Sequence, residues 1–268
     1  MPCCFDALSA RLIEQAGFEL TFMSGFGVSA TRIGGPDTGL VSYAEMLDQG
    51  RDICAAVGIP VIGDADTGYG NAMNAKRTVR GYAQVGFACV MIEDQVAPKR
   101  CGHTAGKQVV GRAEALARVR AAVDARNEGA DVLIMARTDA RATHGLDEAL
   151  WRGQAFAAAG ADIVFVEAPV NENELSAVCT SIRDVPVMAN MLEQGATPFL
   201  PPRRLEDLGF KIAAYPLTLL SSSIRAMQRA LVALAEGRSA EDLLPFAELR
   251  RIVGFDDYHA EQARYAGD

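Results

Sequence analysis

From residue 19 onward one pattern repeats: a short apolar run of strand character, a charged or glycine-bearing turn, then a segment of helical period. The strand-like runs are 19–23, 59–63, 88–92, 132–136, 163–166, 187–189 and 211–214, and the helical segments that follow are 43–57, 75–85, 112–127, 146–159, 172–182, 203–208 and 217–234. Residues 26–42 read as a glycine-rich loop. With no internal repeat or linker, seven strand-and-helix units point to an α/β chain whose parallel strands close into a (β/α)8 TIM barrel, one domain over 1–268 with 217–268 as a C-terminal helical segment. Asp6 is placed to cap a further helix over 7–16, so an eighth strand must lie within residues 1–5. That first strand is expected to be very short, or the chain to be truncated before it. An open doubly wound sheet is the competing architecture, but no G-x-G-x-x-G opens a helix, which argues against its usual dinucleotide site.

Composition removes several classes of function. The 268 residues carry a formal net charge of -8 with no basic block, so nucleic acid and anionic membrane are poor partners. No apolar run approaches the roughly 18 residues of a membrane span, and the start, MPCCFDALSA, lacks the features of a signal peptide. A soluble, cytoplasmic protein is expected. Six cysteines are scattered without a C-x-x-C pair, which suits neither a disulfide framework nor a thiolate zinc site. Cys54, Cys89 and Cys179 lie on helix-like or strand-like segments and read as core, whereas Cys101 alone is flanked by charge and glycine.

In a barrel, the residues just past each strand converge on one face. Here they are Ser24 and Gly25, Asp64 and Asp66, Glu93, Arg137, Glu167, Asn190 and Tyr215, with Asp37 added from a loop. So many carboxylates in one pocket raise each other's pKa and are costly to desolvate, a conflict that a divalent cation resolves. An all-oxygen set of Asp37, Asp64, Asp66 and Glu93 without histidine suits Mg²⁺ or Mn²⁺ rather than zinc; capping of the turn before Gly68 is the plainer use of Asp64 and Asp66. Arg137 is expected to fix a substrate carboxylate with its planar fork, the alternative being an ion pair with Glu167.

The stretch 87–107, FACVMIEDQVAPKRCGHTAGK, runs from a buried strand into a reactive loop. Glu93 and Asp94 at the strand's end can face a hard cation. Lys99, Arg100 and His103 surround Cys101 with positive charge that favours its thiolate and attracts anions, the composition of an active-site lid.

Taken together, MSGFGVSAT, the loop Asp37, GDADTGYGN, IEDQ, KRCGH, ARTDA, Asn190 and Tyr215-Pro216 resemble the isocitrate lyase and phosphoenolpyruvate mutase superfamily over nearly the whole chain. The KRCGH loop resembles its carbon-carbon lyase branch, and NMLEQGATPFL with FKIAAYPLTLLSSSIRAMQ is most similar to lyases of the 2,3-dimethylmalate lyase and petal death protein type. The resemblance implies a 2-alkylmalate-like 2-hydroxy diacid, cleaved between C2 and C3 to a 2-keto acid and a carboxylate. Mg²⁺ held around Asp64, Asp66, Glu93 and Asp37 would chelate the 2-oxygen and the 1-carboxylate. Cys101 would protonate the carbanion, with His103, Lys99 and Arg100 neutralising charge, while Arg137, Asn190 and the Ser24-Gly25 backbone hold carboxylates. Phe26 and Glu167 complete the implied substrate-binding set. Relatives often carry tyrosine where this chain has Phe5, so the general base is left open. Oxaloacetate hydrolysis, methylisocitrate cleavage and phosphonate mutation are alternatives within the superfamily, and a non-enzymatic dicarboxylate binder is the alternative outside it.

Beyond the last strand, 217–234 and a stretch through Leu243, Phe246, Leu249, Ile252, Val253, Phe255 and Tyr258 carry more apolar positions than one closing helix needs. In the resembling family such helices are exchanged between subunits of tetramers, which implies a homotetramer with swapped C-terminal helices beyond about Leu243.

Overall fold

The computed structural model describes residues 1–102 and 106–266. Two compact units divide it, Met1–Leu219 and Leu220–Asp268. In the first, eight parallel strands stand in sequence order: β1 (Cys3–Cys4), β2 (Thr21–Met23), β3 (Val61–Asp64), β4 (Cys89–Glu93), β5 (Leu133–Thr138), β6 (Ile163–Val166), β7 (Val187–Asn190) and β8 (Ile212–Ala214). Between them run α1 (Ala7–Gln15), α2 (Gly25–Arg32), α3 (Tyr43–Ala56), α4 (Ala72–Val85), α5 (Arg112–Asn127), α6 (Ala140–His144), α7 (Leu146–Ala158), α8 (Glu172–Ser181) and α9 (Pro202–Leu208). The barrel closes where Pro2 bridges Tyr215 in parallel, with Tyr215 N–H donating to Met1 O at 2.9 Å and Cys3 N–H to Tyr215 O at 3.2 Å. The expected eighth strand is therefore present and two residues long.

The helices start where side chains can take up their unpaired N–H groups. Asp6 and Ser9 form a reciprocal capping box on α1, and Ser42 and Glu45 do the same on α3. At the other end of α4, Gly86 takes the left-handed conformation (φ 102°) that ends the helix and turns the chain into β4.

Period-2 alternation sorts the strands into two faces. Phe22, Ile62, Cys89, Met91, Met135, Phe165 and Met188 fill the barrel interior, while Val90, Ile92, Ile134, Ala136 and Val164 face the helices. The helix side packs closely: Tyr82 and Phe87 stack at 4.7 Å, and Gly50 and Gly63 leave the room that Phe87 fills. Truncating Phe87 to alanine would cost about 3–5 kcal/mol on the scale of buried aromatics.

Two helices fall where a strand-and-loop reading puts irregular chain. Residues 25–32, all but the first within the expected glycine-rich loop of 26–42, form α2, because Ser24 caps it (Gly27 N–H to Ser24 Oγ, 3.1 Å) and burial of Val28 and Ser29 outweighs two glycines. Residues 140–144 form the short α6 directly after β5.

The second unit holds most of α10 (Thr218–Ala235), then α11 (Phe246–Ile252) and α12 (Phe255–Ala263). Large apolar side chains there are exposed, among them Leu231 at 64%, Leu243 at 68% and Phe246 at 74%. Among the described residues, no helix is long and apolar enough to cross a membrane.

Candidate active site

The side chains at the C-terminal ends of the strands continue the interior face of the barrel. Asp64 follows Ile62, Glu93 follows Cys89 and Met91, Arg137 follows Met135, Glu167 follows Ile163 and Phe165, and Asn190 follows Met188, each two residues on. Parallel registry then sets neighbours side by side, as in Glu93 opposite Arg137. The result is a small cavity of about 70 Å³ at the mouth of the barrel. Ser24, Asp37, Asp64, Cys101, Glu167 and Asn190 contribute polar atoms to its wall, as does Arg137, and Phe26, Leu192, Pro216 and Leu217 an apolar portion.

One side of the cavity is acidic. Asp64 accepts from Gly25 N–H at 3.1 Å and from Asp66 N–H at 3.0 Å. Position 25 must be glycine for that approach, since a Cβ would lie 2.5 Å from Asp64 Oδ2. Asp66 sits at φ 47°, a left-handed conformation that costs a non-glycine residue on the order of 1–3 kcal/mol. Lys99 Nζ lies 2.5 Å from Asp37 Oδ1 and 2.9 Å from Asp66 Oδ1, buried between them. Burial alone would lower the lysine's pKa, but the carboxylates of Asp66, Asp64 and Asp37 outweigh it and keep it an ammonium. Burial pushes Asp66 up to about 6 against the pull of Lys99, and lifts Glu93 well above the ordinary carboxylate range despite Arg137.

The other side is built around Arg137, whose cationic centre lies 5.2 Å from the Phe165 ring. Its guanidinium lies 2.9 Å from Asp139, 3.1 Å from Glu167 and 3.3 Å from Glu93. Asn190 Nδ2 donates to Glu167 at 3.4 Å. Lys107 Nζ reaches Asp139 Oδ1 at 2.9 Å and also donates to the carbonyl oxygen of Gly102. Gly102 is pressed against this cluster, where a Cβ would meet Arg137 Nη2 and Glu167 Oε2 at 2.5 Å.

Several of the expected site residues are engaged within the protein. The Ser24 and Gly25 N–H groups, expected to hold a substrate carboxylate, donate to Cys4 O (2.9 Å) and to Asp64. Lys99, expected on the substrate, pairs with Asp37 and Asp66; Arg137 forms the alternative ion pair with Glu167 while still lining the cavity. Arg100 has its backbone N–H and C=O bound by the Gln95 side chain. Asp94, expected to face a cation together with Glu93, points the opposite way, as alternation requires. It accepts from Thr138 Oγ1 at 2.7 Å, Asp139 N–H at 2.9 Å and Arg152 at 2.9 Å. Cys101 is half-buried on the cavity wall, and His103 lies outside the described residues.

The donor set also bears on a divalent cation. Among the described residues, no three His, Cys, Asp or Glu side chains form a ready-made metal cage. Yet Glu93 Oε1 is buried with no hydrogen-bond partner among the described residues, and Asp66 Oδ1 has only the Lys99 ammonium beside it. Buried carboxylate oxygens with raised pKa and spare lone pairs fit a hard cation, and Mg²⁺ characteristically keeps waters and substrate oxygens instead of demanding a full protein cage.

A model of the family described as "Phosphoenolpyruvate phosphomutase" matches residues 1–235. The chain belongs to the phosphoenolpyruvate mutase and isocitrate lyase superfamily. It is 41% identical to "2,3-dimethylmalate lyase" of Eubacterium barkeri over 99% of its own length and 92% of the relative's. Among solved structures, an oxaloacetate acetylhydrolase in complex with the inhibitor 3,3-difluorooxalacetate superimposes with a TM-score of 0.96 at 32% identity, covering 100% of this chain and 92% of that one. A phosphonopyruvate hydrolase complexed with oxalate and Mg²⁺ superimposes with a TM-score of 0.87 at 30% identity, covering 99% and 93%. The eight-stranded barrel and the enzyme class follow from membership of this superfamily.

Asp139, Lys107, Arg152 and the side chain of Gln95 carry the site's inner framework and were given no role by the sequence patterns. Only the position of Asp139 two residues beyond Arg137 and of Gln95 two beyond Glu93, in continuing strand alternation, signalled any of them.

Proposed function

We propose that the chain is a Mg²⁺-dependent carbon-carbon lyase that cleaves a 2-alkylmalate-like 2-hydroxy diacid to a 2-keto acid and a carboxylate. One observation carries this reading: a single cavity is lined by Asp37 and Asp64 of the acidic cluster, by Cys101 and by an apolar wall of Phe26, Leu192, Pro216 and Leu217. Carboxylate ends need charge, and the alkyl group needs a surface without hydrogen-bonding groups. The likeness to the 2,3-dimethylmalate lyase agrees.

Asp37, Asp64, Asp66 and Glu93 would hold the cation, directly or through water. When bound, it supplies Lewis-acid stabilisation of negative charge on the substrate oxygens. Loss of the 2-hydroxyl proton to solvent lets the C2–C3 electron pair leave toward the departing carboxylate half, making a carbonyl at C2 and an enediolate. Cys101 Sγ, on the cavity wall, gives its proton to the carbon of that enediolate and regains one from solvent. Phe5, packed against Gly27, has no hydroxyl with which to take the first proton. Asn190 and Arg137, both on the cavity wall, orient the carboxylates, whereas Arg100 is exposed and does not line the cavity.

Assaying keto-acid release from a panel of 2-alkylmalates, with Cys101→Ser alongside, tests the reading. Turnover is expected to fall by about three orders of magnitude in the variant with Mg²⁺ affinity little changed, as when an acid acting in the transition state is lost. Unchanged turnover would remove Cys101 from the chemistry. The likeness to oxaloacetate acetylhydrolase favours a second reading, hydrolysis of oxaloacetate. Oxalate release from oxaloacetate, with no keto acid from the panel, would establish it instead.

The exposed apolar side chains of Leu220–Asp268 support a homotetramer in which the segment beyond about Leu243 packs on a partner subunit. Light scattering is expected to show a tetramer for the full chain and its dissociation or aggregation for a chain ending at Ser239. A monomeric full-length protein would overturn this.

A further inference from the structure

We propose that Gln95 and Lys107 are positioning residues that fix the reach of Cys101 by clasping the backbone on either side of it; the functional meaning rests on the lyase reading above. On the N-terminal side, Gln95 Nε2 donates to Arg100 O at 2.9 Å and Gln95 Oε1 accepts from Arg100 N–H at 3.0 Å. On the C-terminal side, Lys107 Nζ donates to Gly102 O. The two grips therefore close on the residues immediately before and after Cys101.

Both anchors stand on a rigid stem. Gln95 bridges Val109 in antiparallel fashion, Val96 N–H donates to Gln108 O at 2.9 Å, and Val110 N–H donates to Asp94 O at 2.9 Å. Arg118 donates to Gln95 O at 2.7 Å from α5, and Asp139, on the end of β5, holds Lys107 at 2.9 Å. Gln95 is 1% exposed and Lys107 9%, and burying an amide or an ammonium is costly unless its hydrogen bonds are made. Here the acceptors and donors that satisfy them belong largely to the loop carrying the thiol. Arg100 is an exposed residue whose peptide can take hydrogen bonds from water, so what the Gln95 contacts add there is a fixed position, whereas Gly102 is buried and Lys107 satisfies its carbonyl oxygen as well as holding it. Gly102 shows how little slack that position has, since the space for a Cβ is filled by Arg137 and Glu167.

The test uses full-length Gln95→Met and Lys107→Met, and reads the rate of Cys101 carbamidomethylation by iodoacetamide at neutral pH from the mass of its peptide. The other five cysteines serve as internal references: Cys3, Cys4 and Cys89 are buried, and burial pushes the thiols of Cys54 and Cys179 up to about 12 and about 11. Each substitution is expected to speed alkylation of Cys101 about tenfold, the factor associated with one hydrogen bond. On the alkylmalate panel kcat, expressed per folded enzyme, is expected to fall by a similar factor with KM changed less than about twofold, as when an interaction made only in the transition state is lost. Gln95→Glu, which keeps the shape and the acceptor but loses the donor, is expected to give a smaller acceleration and covers the case in which a methionine variant fails to fold. Alkylation of Cys101 at the parent rate in the folded variants would overturn the proposal. Because alkylation is read without turnover, a Cys101→Ser enzyme that remains active would sink the proton-donor role and leave the clasp to be judged on its own measurement.

Discussion

The two sides of the cavity bury similar numbers of charges and handle them differently. Around Arg137, every carboxylate in reach has a partner: Asp139, Glu167 and Glu93 surround the guanidinium, and Lys107 and Asn190 complete the set. Around Asp66, the pairing is left to one lysine from the loop, with Asp66 at a pKa of about 6 and an oxygen of Glu93 without a partner among the described residues. The first arrangement is a closed network, which rigidifies and holds a shape; the second has spare acceptor capacity, which suits it to a ligand. Glu93 belongs to both, and so joins the frame to the binding side.

Breaking the closed side should cost most. Arg137→Met leaves Asp139, Glu167 and Glu93 as buried carboxylates short of a cation, and losing one partner of such a network costs about 3–5 kcal/mol. A correspondingly lower urea midpoint is expected, and added Mg²⁺ should not restore it. A midpoint shift below about 1 kcal/mol would mean that Arg137 is held for the substrate and not for the frame.

The same substitution on the open side is expected to behave differently. Lys99→Met also strands two carboxylates, Asp37 and Asp66, but here a divalent cation can take the place of the ammonium. Melting followed with and without Mg²⁺ should show a larger Mg²⁺-dependent rise in Tm for the variant than for the parent chain, because a ligand bound more tightly at the same concentration stabilises the folded state more. Equal rises in the two proteins would place the cation away from Asp37 and Asp66.

How legible this contrast was depends on distance along the chain. Asp64, Glu93, Arg137, Glu167 and Asn190 could be gathered because each ends or follows a strand with the same parity, and a barrel turns that parity into proximity. The error over Asp94 came from ignoring it: the next residue on the strand must point the other way, and it meets Arg152, 58 residues on. Arg152 lies in the middle of α7 and Lys107 beyond the cysteine loop, and no local pattern assigns a buried ion pair to either, because the partner is chosen by the tertiary fold. The helix α2 was hidden for the opposite reason. Its glycines read as loop on propensity, whereas they are there for close approach, Gly25 to Asp64 and Gly27 to Phe5.

The closed side extends outward through Asp94 and Arg152 to Glu148, which accepts from Arg152 at 2.8 Å and, at the surface, from Arg112. Hydrogen bonding by Arg112, then by Arg152, draws the Glu148 carboxyl down to about 2. A carboxylate whose pKa is lower in the folded than in the unfolded state adds stability above its unfolded value, near 4.3, and that contribution is lost as pH falls toward the folded value. Glu148→Gln should therefore lower the urea midpoint at pH 7, and the gap from the parent should narrow below about pH 4 as the parent's own carboxylate takes up its proton. Arg112 stands in solvent, so screening holds the effect to about 1 kcal/mol or less, and added salt should shrink it further. A gap that stays constant from pH 7 to pH 3 would show that Glu148 acts through shape alone, and would end the network at Arg152.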